Sequence, residues 1–262
     1  MTIITLLTDF GLKDGFTGVL KGVIWKIAPQ AQIADITHEI TPQNIMEGAI
    51  ALWRAASFFP AGTIHVAVVD PGVGTSRRPI TACIGDQYFV GPDNGLFTPS
   101  MEQAERLGYP VKVFHLDKPQ YWLPEVSNTF HGRDIFSPVA AHLAAGTPID
   151  LMGSLIEDPV RLVMPQPVRT DTGWLGQVVL IDAFGNIATN LADELVKTVK
   201  KVALRIADKT VDGLVLSYGE RKSGDVVALI DSEGFLEVAE VNGNCAQTLQ
   251  VAVGDSVELI IS

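Results

Sequence analysis

Two short apolar runs, IITLLT at 3–8 and TIHVAVV at 63–69, each lead directly into an aspartate, Asp9 and Asp70. Runs of this length bounded by turn residues read as buried strands, whereas Phe16, Val19, Leu20, Val23, Ile24 and Ile27 recur at helical spacing. Pro29 stops that helix, QIADIT at 32–37 reads as a further strand and NIMEGAIALWRAAS at 44–57 as a further helix. Alternation of this kind implies a mainly parallel sheet covered on both faces. Ligands of such sheets gather at the carboxyl ends of strands, where Asp9 and Asp70 both stand.

The texture changes near residue 160. Pro165 and Pro167 interrupt the chain, and short β-like runs follow at 175–182, 201–206, 225–230, 234–239 and 256–261, separated by Gly, Asn and Asp. The expectation is an α/β domain over 1–163 and a smaller all-β domain over 170–262. No internal repeat or low-complexity segment is present.

With 262 residues, 47% of them hydrophobic and 19% charged, the chain has the material for a sizeable core and none of the signature of disorder. Asp and Glu outnumber Lys and Arg by 30 to 19, and no segment gathers the basic residues that a phosphate backbone requires. Nucleic acid is therefore not an expected partner. No apolar run approaches the length of a membrane span, and MTIITLLTDF carries no basic leader, so neither a membrane partner nor export is expected and a cytoplasmic location is. Cys83 and Cys245 lack a CxxC spacing and read as buried thiols.

Polar and glycine residues concentrate at loop positions in Thr8-Asp9-Phe10-Gly11 with Asp14, Val69 to Arg77, Gly91 to Gly95, Phe130 to Asp134 and Ile181 to Asn186. Each segment has a plainer reading. Asp9 or Asp14 could cap the next helix, Asp70-Pro71-Gly72 and Pro92 to Gly95 could be turns, and Arg133-Asp134 could be a local ion pair. Arg77 and Arg78 could be solvated charges, and Phe184 beside Gly185 could be packing at a turn. Their coincidence in one chain is what points to a site, because a site needs several polar groups converging in a cleft.

Asp9, Asp14, Asp70, His131 and Asp134 could ligate a divalent metal, but no compact spacing such as HExxH is present, and no metal is expected. There is no GxSxG elbow, and neither cysteine neighbours a histidine. Water activated by an Asp, Arg and His set is the simplest remaining chemistry.

Taken in order, TDFG with Asp14, VVDPGVGTSRR at 68–78, GPDNGLFT at 91–98, FHGRDIFSPVAAHLA at 130–144, IDAFGNIATN at 181–190 and DSEGFLEVAEVNGNCA at 231–246 resemble the S-adenosylmethionine hydrolases (adenosine-forming), also called S-adenosylmethionine hydroxide adenosyltransferases. That family is related to the fluorinating and chlorinating halogenases. The resemblance covers nearly the whole chain. It implies an α/β domain followed by a β-barrel, and a homotrimer whose ligand lies between the N-terminal domain of one subunit and the C-terminal domain of the next.

The implied reaction is attack of water or hydroxide on ribose C5′, releasing methionine as a neutral thioether and leaving adenosine, with no cofactor. A sulfonium is already an activated leaving group, so the enzyme has only to place and activate the nucleophile. The residues matching the hydrolytic set are Asp70, Arg77 and His131. Arg77, rather than its neighbour Arg78, has the family's spacing from Asp70; it would favour hydroxide character and fix Asp70, while His131 would orient the water or accept its proton.

By the same resemblance Asp9 accepts hydrogen bonds from the ribose 2′- and 3′-hydroxyls, and Asp14, Gly15 and Phe16 line that end. Asp182 and Asn186 match residues that hold the methionine amino group and the adenosine moiety, and Ser232 and Glu233 match a pair near the methionine carboxylate. Glu240 to Asn242 match a stretch along the adenine edge, and Tyr218, through a looser alignment, an aromatic that stacks on adenine. The chain departs from the halogenases at Asp70, where they carry a non-acidic residue, at Gly132, where they carry a serine, and at Glu233 and Glu240, where they carry arginines. Asp70, His131 and Gly132 give no halide pocket, which favours water, and the side chains of Glu233 and Glu240 cannot do the electrostatic work of those arginines. A halogenase and a non-catalytic adenosine or S-adenosylmethionine sensor are the alternatives.

Overall fold

In a computed structural model that describes residues 2–261, the apolar runs form β1 (Ile3–Thr8) and β3 (Ile64–Val68), both closed off from solvent on both sides over most of their length. The described chain divides into two units, one ending at Val163 and the other beginning at Met164.

In the first unit α1 (Phe16–Ile27), β2 (Gln32–Thr37) and α2 (Ile45–Ala56) lie between β1 and β3 in sequence, followed by β4 (Pro79–Ile84), β5 (Gln87–Pro92), α3 (Thr98–Arg106), β6 (Val111–His115), α4 (Ser137–Ala144) and β7 (Ser154–Ile156). The sheet order is β2-β1-β3-β5-β4-β6-β7. Pairing is parallel from β2 through β5, the half that carries the two aspartates, and antiparallel from β5 through β7. The register of β1 on β2 slips by one residue: Leu6 pairs with Asp35 but Leu7 with Thr37, so Ile36 is a bulge and the chain beyond it is re-aimed.

Alternate side chains of the buried strands feed two cores. Ile4, Leu6, Val66 and Val68 pack under Leu20 and Ile24 of α1 and Val139 and Ala140 of α4. Leu7, Ala67 and Val69 face Ala49 and Leu52 of α2 and Met101 of α3 on the other side. The face of α1 that packs is Leu20, Val23 and Ile24; Phe16 and Val19, at the same spacing, remain largely exposed. Asn44 starts α2 by accepting from the Glu47 N–H at 3.1 Å, while the Glu47 carboxylate reaches back to the Thr41 N–H.

The second unit is antiparallel throughout. Its strands are β8 (Val168–Arg169), β9 (Gly173–Ile181), β10 (Ile187–Ala192), β11 (Val202–Ile206), β12 (Lys209–Asp212), β13 (Val226–Ile230), β14 (Phe235–Glu240) and β15 (Ser256–Ile261), with a short α5 (Cys245–Leu249). The order β12-β11-β15-β9-β10-β14-β13 nearly closes on itself, since β12 adjoins β13 and the Val215 N–H donates to the Ala228 carbonyl at 2.9 Å. Val178, Leu191, Leu204, Leu236, Val238 and Leu259 fill the interior of this barrel.

Candidate active site

β1 and β3 are parallel neighbours, with Thr8 opposite Val68, so Asp9 and Asp70 leave the same edge of the sheet from adjacent strands. A cavity of about 250 Å³ opens there, lined among others by Asp9, Phe10, Gln43, Asp70, His131 and Gly132.

Arg77 holds Asp70 with both ends of its guanidinium: Nε donates to Oδ1 at 3.1 Å and Nη2 to Oδ2 at 2.5 Å, with both side chains more than nine-tenths buried. The second Nη2 proton points to His131 Nδ1 at 3.0 Å. Arginine can only donate, so Nδ1 is the accepting nitrogen and the neutral ring carries its proton on Nε2. Burial, opposed by Arg77, raises the Asp70 carboxyl above its ordinary value. Burial, reinforced by the Arg77 charge, lowers His131, so the ring is neutral at neutral pH. Nη1 of Arg77 is buried and has no hydrogen-bond partner among the described residues.

The loop that delivers Arg77 folds on itself, with Thr75 Oγ1 donating to the Gly72 carbonyl at 2.6 Å. At Gly74 φ is +75°, and a Cβ there would lie 2.2 Å from the Asn128 carbonyl oxygen. Only glycine lets this loop rest directly on the segment that carries His131. That segment is braced by Asp134, fully buried, whose Oδ2 accepts from both the Ser127 N–H (2.8 Å) and the Ser127 hydroxyl (2.7 Å), and whose Oδ1 accepts from Arg133 at 2.6 Å. Gly132–Phe136 form a π-helical turn, a rare geometry that recurs at functional sites, and it sets His131 at the cavity. Asp134 therefore faces inward as a brace.

Arg78 turns away from Asp70. Its Nε donates to Asp93 at 2.8 Å and its Nη1 to Asp158 at 2.9 Å, while the Val160 N–H donates to the other Asp93 oxygen. Asp93 is thus a buried anchor, and Asn94 Nδ2 donates to the Val69 carbonyl at 2.8 Å, just before Asp70. GPDNG does more than turn the chain.

Asp9 Oδ2 accepts from the Gln43 N–H at 2.8 Å, with Gln43 itself in the left-handed region at φ +66°. A backbone donor 34 residues away leaves no periodic trace, so Gln43 is a cavity residue that sequence reasoning missed. Asp14 is exposed and does not cap α1, whose N-cap is Gly15 at φ +71° with no side-chain cap. Phe16 stands at the rim, its ring 5.3 Å from that of Phe130 and 6.3 Å from that of Phe10.

In the second unit, Asp182 closes its own turn: Oδ1 accepts from the N–H groups of Phe184 (2.9 Å) and Asn186 (2.8 Å), and Oδ2 from Asn186 Nδ2 (2.9 Å). Phe184 is 77% exposed, so it is not buried at this turn. The Tyr218 hydroxyl donates to Glu237 at 2.7 Å, and burial, Glu237 and the nearby Asp182 and Asp231 together raise its pKa. Tyr218, Asp182 and the turn before Ser232 therefore share one neighbourhood. Ser232 donates to Glu233 at 2.8 Å, Glu240 accepts from Thr248, and Asn242 adopts φ +56°. Cys245 is buried and Cys83 half-buried.

The pattern of the SAM hydroxide adenosyltransferase N-terminal domain matches residues 4–153, and that of the C-terminal domain residues 176–258. A protein of Salinispora arenicola named (R)-S-adenosyl-L-methionine hydrolase is 36% identical over 98% of this chain and 97% of its own. A fluorinase of an Actinoplanes species is more distant, 29% identical over 90% of each chain. The crystal structure of an uncharacterized conserved protein from Thermotoga maritima superposes with a TM-score of 0.90 at 39% identity, over 98% of this chain and 99% of the other.

Proposed function

Because this chain belongs to the SAM hydroxide adenosyltransferase family, we propose that it is an S-adenosyl-L-methionine hydrolase that uses water at ribose C5′ to give adenosine and L-methionine. The hydrolase relative, more similar and more fully covered than the fluorinase, favours water over halide as nucleophile. The (R) configuration in that relative's name is the sulfonium epimer proposed here too.

The observation that carries the mechanism is the single guanidinium joining Asp70 and His131. With Nδ1 facing Arg77, His131 is a donor through Nε2, so of the two roles open to it, orienting the water is the one this tautomer serves. Asp70, made more basic by burial, takes the proton. Arg77 Nη1, which has no protein partner among the described residues, is the donor we assign to the water. The new C5′–O bond forms as the C5′–S bond breaks, its electron pair leaving on a neutral thioether, and the proton on Asp70 passes to solvent.

Asp9, half-buried at the same strand edge, suits the ribose hydroxyls, with the exposed Asp14, Gly15 and Phe16 following it. Asp182, Asn186, Tyr218, Ser232, Glu233, Glu240 and Asn242 of the second unit are assigned to methionine and adenine in the same reading, as the family resemblance implies. That assignment includes a homotrimer whose sites lie between subunits, no cofactor or metal, and a cytoplasmic location. Among the described residues no helix is long and apolar enough to cross a membrane. The charge of −11 accords with a protein that does not seek nucleic acid.

The test is turnover of the (R) epimer in ¹⁸O-water after chelation of metals. Adenosine carrying ¹⁸O at its 5′-hydroxyl, with unlabelled methionine, is the expected result. Label in methionine, 5′-halo-adenosine formed in halide buffers, or binding without turnover would each overturn it. Light scattering of the intact protein tests the trimer.

A further inference from the structure

We infer that His38 is a positioning residue for Asp9, holding the turn after β1 from two sides. The turn is short and its geometry is set by few bonds. The Gly11 N–H donates to the His38 carbonyl at 2.8 Å, with Gly11 at φ +66°. The Phe10 N–H donates to Thr8 Oγ1 at 3.2 Å, and that same oxygen lies 2.9 Å from His38 Nδ1. Asp9 sits between Thr8 and Phe10, and Gly11 closes the turn behind it. His38 is 3% exposed and Thr8 is fully buried, so neither has water as an alternative partner.

The two ring nitrogens meet different neighbours. Thr8 Oγ1 accepts from the Phe10 N–H and keeps its proton and a second lone pair, so it can pair with Nδ1 in either tautomer of the ring. Nε2 lies 3.2 Å from Asp35 Oδ1, and Asp35 Oδ2 accepts from Lys21 at 2.6 Å. Nε2 faces Asp35 without the alignment of a hydrogen bond, so the ring is held by its burial and by the Nδ1–Thr8 contact, with the Lys21–Asp35 ion pair beside it. The one-residue bulge at Ile36 makes the arrangement possible: with Leu7 paired to Thr37, Thr8 stands beside His38. None of these four side chains lines the cavity, so their effect on ligand runs through the turn residues that do, Asp9 and Phe10, of which Asp9 is the one that meets the diol in this reading.

The inference rests on the reading of Asp9 as the acceptor of the ribose diol, and the experiment separates the two. The affinities of the full-length protein for adenosine and for 2′,3′-dideoxyadenosine are compared in wild type, His38→Leu, Thr8→Val and His38→Asn. General loosening of the fold weakens both ligands alike and leaves their ratio unchanged; misplacing Asp9 lowers the ratio. In His38→Leu and Thr8→Val the preference for adenosine is expected to fall about tenfold. In His38→Asn, whose amide can meet Thr8 Oγ1 in place of Nδ1 as donor or acceptor, most of it is expected to return. KM for S-adenosylmethionine rises in parallel while kcat changes little. A wild type without preference for adenosine overturns the diol reading and this inference with it. A wild type that discriminates, with folded Thr8→Val or His38→Leu discriminating equally well, overturns the inference alone.

Discussion

Nη2 of Arg77 stands between Asp70 Oδ2 at 2.5 Å and His131 Nδ1 at 3.0 Å, so one nitrogen fixes both the carboxylate and the tautomer of the imidazole. A lysine has the charge but not the planar fork that spans two partners while gripping one of them bidentately. Arg77→Lys is expected to lower kcat by about 100-fold, the equivalent of roughly 3 kcal/mol. Single-turnover rates with saturating substrate check it, and a variant within threefold of wild type would contradict the shared-donor geometry.

The pH dependence follows from the two buried groups with opposite shifts. Asp70 acts ionised and its pKa is raised by burial, so kcat falls as pH falls through that raised value. His131 acts neutral and its pKa is lowered, so it does not titrate until the pH is below its ordinary 6.5. A rate profile flat across neutrality is expected, with an acid side to which protonation of Asp70 and of His131 both contribute. In Asp70→Asn the residual rate loses the contribution of Asp70 and keeps that of His131.

Gly74 and Gly108 both have φ near +75°, at +75° and +76°, yet only Gly74 has backbone in the way. Gly108→Ala meets open space and is expected to cost about 1 kcal/mol from the left-handed backbone alone. Gly74→Ala must also push the 127–131 segment off its seat, and is expected to cost at least about 2 kcal/mol and to lower kcat with it. Thermal melts of the pair, with activity on the survivors, make the comparison.

His65 predicts acid lability away from the site. It is fully buried between Phe59 and Phe89 with Thr5 Oγ1 2.7 Å from Nδ1, and burial lowers its pKa to about 4. The folded state thus prefers the neutral ring. Its stabilising effect is complete above the ordinary 6.5 and is lost as pH falls from there toward 4, on the order of 3 kcal/mol in all. In His65→Gln the stability difference between pH 7 and pH 4, read by urea unfolding, is expected to shrink by that order.

Much of the fold is legible in the sequence because burial and periodicity coincide in it. IITLLT and TIHVAVV have no polar face to misread, and they are β1 and the strand before Asp70. Periodicity says less about α1, where Phe16 and Val19 share the spacing of Leu20 and Val23 without sharing their burial. In the first unit, the residues read as catalytic lie in contact, and neighbouring Arg77 and Arg78 part company because Asp93 and Asp158 claim the second. What stayed hidden depends on distant backbone. Gln43 serves through an N–H, Asn94 through a carbonyl it holds, and His38 through a bulge, and none of these leaves a residue-type signature.

The bulge at Ile36 makes the length of β2 a different kind of constraint from its composition. Strand side chains alternate in direction, so removing one residue between Asp35 and His38 would turn the imidazole toward the opposite layer of helices. An exchange of the exposed Gln32 side chain would leave this spacing intact, whereas a single-codon deletion in the strand would uncouple Asp9 from the rest of the sheet edge in one step.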